Sequence, residues 1–486
     1  MNEPEAALAF HLQTRHGSPV DRSGMVDFQP LDPTNRPAPF KRYVGIEAHP
    51  LPREVAEPGA LGRLLFLAAG VTRVSESRML ADRTYFRAAM SAGNLHPVEL
   101  YVVGPEGVDH YDPLGHALTR LRSGGVGRAT AVVLTGIPWR TAWKYGERGY
   151  RHLFWDAGAM LANLLAVAES DGVEARVWLG FDDDAVARLL GVDGTTEFPL
   201  AIVTLGDDET TPDWPAAEEI TLDVEPISPH PIEFPMITAM HRAGVVDDVE
   251  EWRAAAAAFG GERAATDPAR PSRELPPVEA VILARGSTRI MRRDSARREL
   301  LDWGMGRASR PVPGDFAGEG RTLLTHFLSV HAIDGVAPGA YRWRADSGEL
   351  EVVQLGDTRD AAELLCLRQP LGGDSAFTAF HGADLDAVLG ALGARGYRAA
   401  QLEAGIAAGR LSLAAFALGF GATGLTFFDA AVSQFFATDA ACMLVTAVGI
   451  PDYRNTPGGG PGEAAELTGY ARLMERLSLG LHRSGR

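Results

Sequence analysis

The segment Arg-Gly-Ser-Thr-Arg at positions 285–289 brings two guanidinium groups and the Ser287 hydroxyl group within five residues. Planar guanidinium groups make bidentate, charge-assisted hydrogen bonds to phosphate, so Arg285, Ser287 and Arg289 predict a phosphate site. The segment follows an apolar, strand-like run at 278–284, and a helix that begins close by would add backbone donors. A solvated basic turn would have the same composition, so this segment alone leaves both interpretations open.

The segment Ser-Ala-Gly-Asn-Leu-His-Pro at positions 91–97 comes directly before a second strand-like run. Small residues, an amide and a proline at a strand entrance predict a tight loop. Such a loop would bring backbone N–H groups and the Asn94 side chain close to a flat polar ligand. His96 could act as an acid or a base, but a structural hydrogen bond is the favoured interpretation for it.

Two adjacent titratable side chains, Lys144 and Tyr145, lie in the segment at 142–151. Both side chains have ordinary pKa values of about 10. Burial beside a cofactor would lower the pKa of the lysine toward the range of a general base. The alternative is a loop lysine beside a packed tyrosine.

These candidates are distributed over an internal repeat. The sequence Gly-Tyr-Arg begins at Gly149 and again at Gly396, an offset of 247 residues that continues without a gap to the Phe-Asp pairs at 181–182 and 428–429. Each copy predicts a long helix, a short strand, another helix and a closing strand.

Small residues widen the apolar face of the first long helix, and its Gly158 matches Gly405 in the second copy. Because small residues let backbones approach closely, we expect the two long helices to pack against each other. The pair Lys144 and Tyr145 has no counterpart in the second copy, where Leu392 stands opposite Tyr145.

The chain has 486 residues, and 63 acidic against 46 basic residues give it a net charge of −17. This balance disfavours nucleic acid and anionic membranes as partners. The only cysteines, Cys366 and Cys442, form no Cys-x-x-Cys pair, which argues for a reducing compartment and against a structural zinc site. The N-terminus lacks a signal-peptide pattern, and the uncharged stretch at 411–428 predicts a buried helix that turns into a strand rather than a membrane span. We therefore expect a cytoplasmic protein.

Proline-rich and acidic stretches predict the domain boundaries. The expected order is an N-terminal arm at 1–40, a first domain at 41–210, an acidic, proline-rich connector at 211–277 and a second domain at 278–486. The connector predicts one helical piece near 247–259, and it could equally be a lid.

Several familiar catalytic patterns are absent, among them G-x-x-x-x-G-K-[ST], H-E-x-x-H and G-x-S-x-G. His11 and His16 could share a helix face, but no third ligand accompanies them, so no metal site is expected.

Taken together, four segments resemble the nitroreductase superfamily, in particular its SagB/ThcOx-type flavin dehydrogenases. They are FHLQTRHG at 10–17, PFKRYVG at 39–45, SAGNLHPVELYVV at 91–103 and WKYGERGYRHLFWDAG at 143–158. Some members of that group oxidise thiazolines and oxazolines in ribosomally made peptides. The resemblance covers about residues 8–210, and a more general nitroreductase pattern covers about 278–455.

The resemblance implies an α+β fold of two tandem nitroreductase-like domains, each a mostly antiparallel sheet flanked by helices, that form a pseudo-dimer within one chain. Family members hold FMN in a cleft between two subunits. Here the first copy lacks the R-x-S-x-R element, and the second reads GRTLLTH, at 320–326, where the first has its asparagine loop. We therefore expect one complete FMN site and one degenerate site.

The resemblance also implies roles for individual residues. The FMN phosphate would be held by Arg285, Ser287 and Arg289 together with Arg454, and the ribityl chain or flavin edge by Ser91 and Asn94. Backbone amides at Thr426 and Phe427 would face the flavin N5/O4 edge, although many nitroreductases carry Glu-Gly there. Lys144 and Tyr145 would lie over the flavin face and handle the proton.

The activity implied is dehydrogenation of a peptide azoline to an azole, by hydride transfer to flavin N5, beside a cyclodehydratase and with oxygen as the electron acceptor. Two alternatives stay open. One is a flavin reductase or oxidase for a small molecule such as a nitroaromatic, a quinone or a cyclic dipeptide. The other is a flavin-free scaffold that binds a peptide or a partner enzyme.

Overall fold

The computed structural model describes residues 3–17, 31–54, 57–76, 83–127, 129–206, 211–214, 216–265 and 270–467. The helices in these ranges are α1 Pro4–Gln13, α2 Leu61–Ala69, α3 Pro138–Tyr145, α4 Gly149–Asp171, α5 Asp183–Leu190, α6 Pro235–Ala243, α7 Val249–Ala258, α8 Val278–Ala284, α9 Arg298–Ala308, α10 Arg359–Leu365, α11 Pro370–Asp374, α12 Leu385–Ala417 and α13 Asp429–Phe436.

The strands are β1 Ala48–Pro50, β2 Val71–Glu76, β3 Arg83–Arg87, β4 Val98–Gly104, β5 Gly107–Asp112, β6 Ala117–Ser123, β7 Thr130–Gly136, β8 Ala175–Trp178, β9 Phe198–Leu205, β10 Glu262–Arg263, β11 Met291–Arg292, β12 Arg321–Thr322, β13 Leu324–Val330, β14 Gly339–Arg344, β15 Glu349–Leu355, β16 Phe377–Ala383, β17 Gly421–Leu425, β18 Ala441–Pro451 and β19 Ala465–Glu466.

The two large sheets share one topology. In the first half the order is β6-β5-β4-β7-β9-β8, and in the second half it is β15-β14-β13-β16-β18, with β17 paired to β18. All of these neighbours are antiparallel. The repeated order confirms the expected α+β fold of two tandem domains.

The long helices α4 and α12 pack against each other through the two matched glycines. A Cβ atom on Gly158 would lie 2.4 Å from the carbonyl oxygen of Leu402, and one on Gly405 would lie 2.6 Å from that of Trp155. Because any side chain at either position would meet backbone atoms, only glycine allows this approach. The predicted helix pairing is confirmed.

The repeat is visible in the backbone as well. Gly146 ends α3 with φ 56° and ψ −145°, and its counterpart Gly393 interrupts α12 with φ 61° and ψ −159°. Positive φ values are strained for residues with a Cβ atom. The same glycine kink therefore begins the long helix in both halves.

Buried ion pairs connect the halves reciprocally. Arg148 and Arg151 of the first half contact Asp429, and Arg395 and Arg398 of the second half contact Asp183. The closest nitrogen and oxygen atoms of Arg151 and Asp429 are 2.6 Å apart. The arginines hold the pKa of Asp429 well below its ordinary value despite burial. Both clusters fix the halves face to face.

Helices α1 and α6 have equivalent places in the two halves. Arg151 donates a hydrogen bond to the carbonyl oxygen of His11 in α1, and Arg398 donates one to that of His241 in α6. The predicted connector contains this second helix besides α7, which matches the helical piece predicted near 247–259. Helix α6 therefore has the same position relative to the second half as α1 has relative to the first half.

One predicted element differs from the structure. The apolar run at 278–284 was expected to be strand-like but forms helix α8. Short apolar runs have no periodicity that separates a strand from a buried helix. Packing of Val281 and Ile282 against α4 and α12 favours the helix.

The uncharged stretch at 411–428 runs from α12 into β17, as predicted. In the described part of the chain, no helix is long and apolar enough to cross a membrane. Cys366 and Cys442 are buried free thiols.

Candidate functional site

A cavity of about 450 Å³ opens between the two halves. Its walls bring together six of the residues that the sequence predicts for a cofactor site. They are Ser91 and Asn94 from the first half, and Arg285, Ser287, Arg289 and Arg454 from the second. Residues more than 190 positions apart in the chain therefore meet in one cleft.

The first wall is the loop that leads into β4. Ser91 Oγ donates a hydrogen bond to Asp156 Oδ2 at 2.5 Å and accepts one from the backbone N–H of His96 at 2.9 Å. The side-chain amide of Asn94 donates to the carbonyl oxygen of Tyr85 at 2.8 Å. These bonds fix the loop before any ligand binds.

The conformation of this loop depends on residue type. Gly93 and Asn94 have φ values of 63° and 56°, which glycine and asparagine adopt at least cost. A Cβ atom on Gly93 would lie 2.8 Å from the Tyr145 hydroxyl oxygen and 3.3 Å from Lys144 Cδ. The missing side chain thus lets the Lys144–Tyr145 pair lie directly against the loop.

His96 is buried, with its Nε2 atom 3.1 Å from the carbonyl oxygen of Tyr85. Burial, assisted by Arg87, holds its pKa well below the ordinary value. A neutral, enclosed imidazole with a backbone partner has a structural role, in agreement with the favoured interpretation.

The second wall carries the arginines. Arg285 is 5% exposed, and its Nε atom donates to the carbonyl oxygen of Ala88 at 3.1 Å. Within the described ranges it has no carboxylate partner, and burial lowers its pKa to about 9. A buried guanidinium group without a counter-ion is costly unless an anion joins it. The residues present therefore fit the phosphate of FMN.

The surroundings of the other two arginines differ. Arg289 is half-buried, and its backbone N–H donates to the Tyr453 hydroxyl oxygen at 3.0 Å, whereas Arg454 is exposed at the rim. The expected helix N-terminus is not at this segment. Helix α8 ends directly before Arg285, and α9 begins only at Arg298. A helix C-terminus favours the arginine itself rather than a bound anion.

Lys144 and Tyr145 form the end of α3, next to the cavity loop. Burial, and then Arg289 and Arg36, lower the pKa of Lys144. Burial, and then Asp156, raise the pKa of Tyr145 above its ordinary value. The pair lies against the loop at 91–97, through Gly93, and does not itself line the cavity.

The lysine is unusual in this chain. Lys41 and Lys144 are the only lysines among 46 basic residues. Lys41 is buried in an ion pair with Glu197 at 2.6 Å. An arginine cannot lose its proton in a protein, whereas a buried lysine can. Lys144 is therefore the basic side chain at this cleft that is able to act as a base.

Aromatic rings lead from Tyr145 to the second half. The ring centroids of Tyr145 and His152 are 4.1 Å apart, those of His152 and Trp155 are 4.4 Å apart, and those of Trp155 and Phe427 are 6.4 Å apart. His152 is 1% exposed, and burial holds its pKa well below the ordinary value. A neutral imidazole therefore stacks on the Tyr145 ring.

Thr426 and Phe427 do not line the cavity. Phe427 is fully buried beneath the Arg148 guanidinium group, and Thr426 Oγ1 accepts a hydrogen bond from Gln369 at 3.2 Å. No hydrogen bond from the backbone N–H of either residue is found among the described residues. Neither amide therefore has a protein acceptor in the described part of the chain, and Phe427 is enclosed.

The second cleft, related to the first by the repeat, is filled by the chain itself. Leu179 and Gly180 correspond to Thr426 and Phe427, and their backbone N–H groups donate to the Asp315 carboxylate at 2.7 and 2.9 Å. Arg253 of α7 lies 3.5 Å from Asp315. Leu179 and Gly180 thus have a protein acceptor for their amides, whereas none is found for Thr426 and Phe427 among the described residues.

The loop of the first cleft is missing from the second. Glu403, the counterpart of Asp156, accepts hydrogen bonds from Thr322 Oγ1 at 2.7 Å and from the backbone N–H of Leu323 at 2.9 Å. Burial raises the pKa of both carboxyl groups to about 7. Strand β13 begins directly after Leu323, so no room is left for a counterpart of Asn94.

The nitroreductase family model matches residues 61–207 and 333–452, which together make up more than half of the chain. The chain belongs to the nitroreductase family. A solved structure of a putative nitroreductase from Anabaena variabilis aligns over both halves. It has a TM-score of 0.75 and 25% sequence identity, and the alignment covers 92% of this chain and 99% of that one.

Two curated proteins match shorter parts. The microcin B17-processing protein McbC of Escherichia coli is 32% identical over 143 aligned residues, and the match covers 24% of this chain and 53% of McbC. Putative nitroreductase MJ1384 of Methanocaldococcus jannaschii is 28% identical over 167 aligned residues, and the match covers 30% of this chain and 78% of that protein. The match to McbC therefore spans about half of its length.

Sequence reasoning missed His152, Trp155 and Asp315. A signal for the first two lies in the repeat, because Ala399 and Leu402 stand at the matching positions. Asp315 had no signal, since it lies far from Leu179 in the chain. No group of three or more possible metal ligands occurs among the described residues.

Proposed function

We propose that this chain is an FMN-dependent oxidoreductase that dehydrogenates thiazoline or oxazoline rings of a ribosomal peptide to azoles. The observation that carries the proposal is the cavity in which Ser91 and Asn94 of the first half face buried Arg285 of the second half. Lys144 and Tyr145 lie against Gly93 of the same first-half loop. Flavin, when bound, supplies a hydride acceptor.

The chain's own groups would hold FMN by its two ends. Arg285, Ser287, Arg289 and Arg454 would bind the phosphate by charge-assisted hydrogen bonds. Asn94 and the loop that Ser91 anchors would contact the ribityl chain or the ring edge. The backbone amides of Thr426 and Phe427 would donate to the ring, because no partner for them is found in the described part of the chain.

The proton is handled by Lys144 and Tyr145. A lowered pKa gives Lys144 a larger neutral fraction, so its Nζ atom is the group that accepts the proton from the azoline carbon. A raised pKa keeps the Tyr145 phenol protonated, so its hydroxyl group donates a hydrogen bond rather than acting as the base. This division of roles follows from the opposite directions of the two shifts.

A peptide substrate and a cyclodehydratase partner belong to this proposal, as does a cytoplasmic location. The name of McbC describes processing of microcin B17. We extend a role in peptide maturation to this chain because its match to McbC is accompanied by the Lys144–Tyr145 pair.

The experiment compares Lys144→Arg and Lys144→Ala with the wild type, each loaded with FMN, on a peptide that carries an azoline ring. Mass spectrometry measures the loss of two hydrogen atoms. Arginine retains the charge but cannot act as a base, so both variants should bind FMN normally and lose ~10²- to 10⁴-fold in rate.

Other outcomes separate the alternatives. A wild-type protein that reduces a nitroaromatic compound or a quinone but leaves the azoline unchanged is a small-molecule reductase. A colourless protein that cannot be loaded with FMN is a scaffold. A Lys144→Arg variant with wild-type azoline turnover would exclude the lysine as the base.

A further inference from the structure

Arg73, from strand β2 of the first half, lies in the wall of the cavity beside Arg285. Neither the sequence patterns nor the proposed function assigns it a role. It is 5% exposed, as is Arg285. The two guanidinium groups therefore come from opposite halves of the chain and meet in one enclosed corner.

Arg73 is held by two backbone carbonyl groups of the second half. Its Nε atom donates to the carbonyl oxygen of Thr456 at 2.6 Å, and its Nη2 atom donates to that of Leu283. Leu283 comes two residues before Arg285, and Thr456 comes two residues after Arg454. Arg73 thus ties together the two loops that carry the predicted phosphate ligands, and neither bond uses its Nη1 atom.

The charge of this corner is uncompensated. Within the described ranges no carboxylate pairs with Arg73, and burial alone lowers its pKa to about 10. Burial and then Arg73 lower the pKa of Arg285. The other buried arginines that cross between the halves, such as Arg151 and Arg398, are each paired with an aspartate.

Two neighbouring buried cations without a counter-ion repel each other in a medium that screens charge poorly. A dianion between them would accept hydrogen bonds from both guanidinium groups at once. The helix C-terminus before Arg285 offers no anion donors of its own, so the guanidinium groups and the Ser287 hydroxyl group would supply them.

We propose that Arg73 is a further ligand of the FMN phosphate, contributed by the half opposite to the arginine-serine-arginine segment. This inference rests on the proposed function, because it takes FMN as the ligand. Its consequence is specificity: the first half would recognise the phosphate monoester as well as the ring. Riboflavin, which lacks the phosphate, would gain nothing from Arg73.

The test titrates the full-length chain, stripped of flavin, with FMN and separately with riboflavin. The variant Arg73→Met should raise the Kd for FMN ~10- to 100-fold and change the Kd for riboflavin by less than about threefold. Inorganic phosphate should raise the Tm of the flavin-free wild type, and it should raise the Tm of flavin-free Arg73→Met by a smaller amount. Arg73→Lys keeps the charge but lacks the guanidinium fork, so its Kd for FMN should lie between those of the wild type and of Arg73→Met. It replaces Arg73→Met in the titration if the methionine variant does not fold.

The matched control is Arg63→Met. Arg63 is a mostly buried arginine of the same half that also reaches the second half, but it is ion-paired with Asp171 and Glu279. This variant should lower the Tm and leave the ratio of FMN to riboflavin affinity unchanged.

Equal losses of FMN and riboflavin affinity in Arg73→Met, or no loss of either, would overturn the inference and leave Arg73 a loop tether. If wild-type protein binds neither flavin, the proposed function fails instead. The two failures are therefore distinguishable.

Discussion

The two clefts of this molecule are built from the same repeat and have opposite contents. At the open cleft, Lys144 and Tyr145 lie against the loop at 91–97, and His152 and Trp155 pack behind Tyr145. The matching positions of the filled cleft are Ala391, Leu392, Ala399 and Leu402. The positions that join the halves are the same in both, namely Arg148 with Arg395, Arg151 with Arg398, and Gly158 with Gly405. One half of the chain thus serves as an internal control for the other, and it separates side chains that hold the fold from those that could do chemistry.

The filled cleft also indicates what the open one binds. The amides of Leu179 and Gly180 hold the Asp315 carboxylate, which shows that this strand end presents two donors to one acceptor group. Thr426 and Phe427 stand at the matching positions of the second half, where neither lines the cavity and no acceptor for their amides is found among the described residues. The acceptor edge of a flavin is the ligand that we propose for them.

The largest effect on stability is expected at the ion pairs that both halves share. Asp429→Asn and Asp183→Asn each leave two buried arginines without their counter-ion, and each should cost about 3–5 kcal/mol of unfolding free energy. Urea denaturation measures the loss. Similar losses would confirm that the pairs are structural equivalents.

The same two variants sharpen the comparison through activity. Arg148, a partner of Asp429, lies over the Phe427 ring, 5.1 Å from its centroid. Asp429→Asn should therefore lower turnover per bound flavin, and Asp183→Asn should not. Equal turnover losses would contradict the assignment of chemistry to one cleft.

A smaller effect is expected at the loop that only the open cleft has. Asn94→Ala removes the hydrogen bond to Tyr85 and a polar group of the cavity wall, and it should raise the Kd for FMN ~10-fold, as expected for about 1.4 kcal/mol. Its control is Thr322→Ala, at the filled cleft, which removes a hydrogen bond to Glu403. Fluorescence titration should show unchanged FMN affinity in Thr322→Ala. An equal loss of FMN affinity in both variants would contradict the distinction between the open and the filled cleft.

The smallest expected effect is a shift of the lysine titration. Reductive ¹³C-methylation followed by NMR yields side-chain signals from Lys41 and Lys144 alone, since the chain has no other lysine. The pKa of Lys144 should lie below the ordinary lysine value, because burial disfavours its charge, and that of Lys41 should lie above it, because Glu197 outweighs burial.

The direction of the Lys144 pKa shift predicts how azoline turnover depends on pH. Because Lys144 acts as a base only after it has lost its proton, azoline turnover should rise with pH up to that lowered pKa and then level. Titration of both lysines together at the ordinary value would remove the physical basis for Lys144 as the base.

Much of the site could be predicted from the sequence, because the segments at 285–289, 91–97 and 142–151 are local patterns with distinctive chemistry. The meeting of the first two segments in one cavity could be predicted as well, since the repeat implies a pseudo-dimer with complementary losses, whereas the segment at 142–151 does not line that cavity. The strand predicted at 278–284 is helix α8, because a run of only seven residues has no decisive periodicity.

What could not be predicted depends on contacts between distant segments. Asp315 in the filled cleft and Arg73 beside Arg285 have ordinary local sequences, and their partners lie more than 130 residues away. Charge pairing and burial, which give both residues their significance, exist only in the folded chain.

The central claim is that two halves of one chain form a single flavin site. Its most direct test is the molar ratio of bound FMN to protein, after loading with excess FMN and removal of free flavin. We predict one FMN per chain, and a loss of that FMN in an Arg285→Met variant. Two FMN per chain, or one that persists in Arg285→Met, would contradict it.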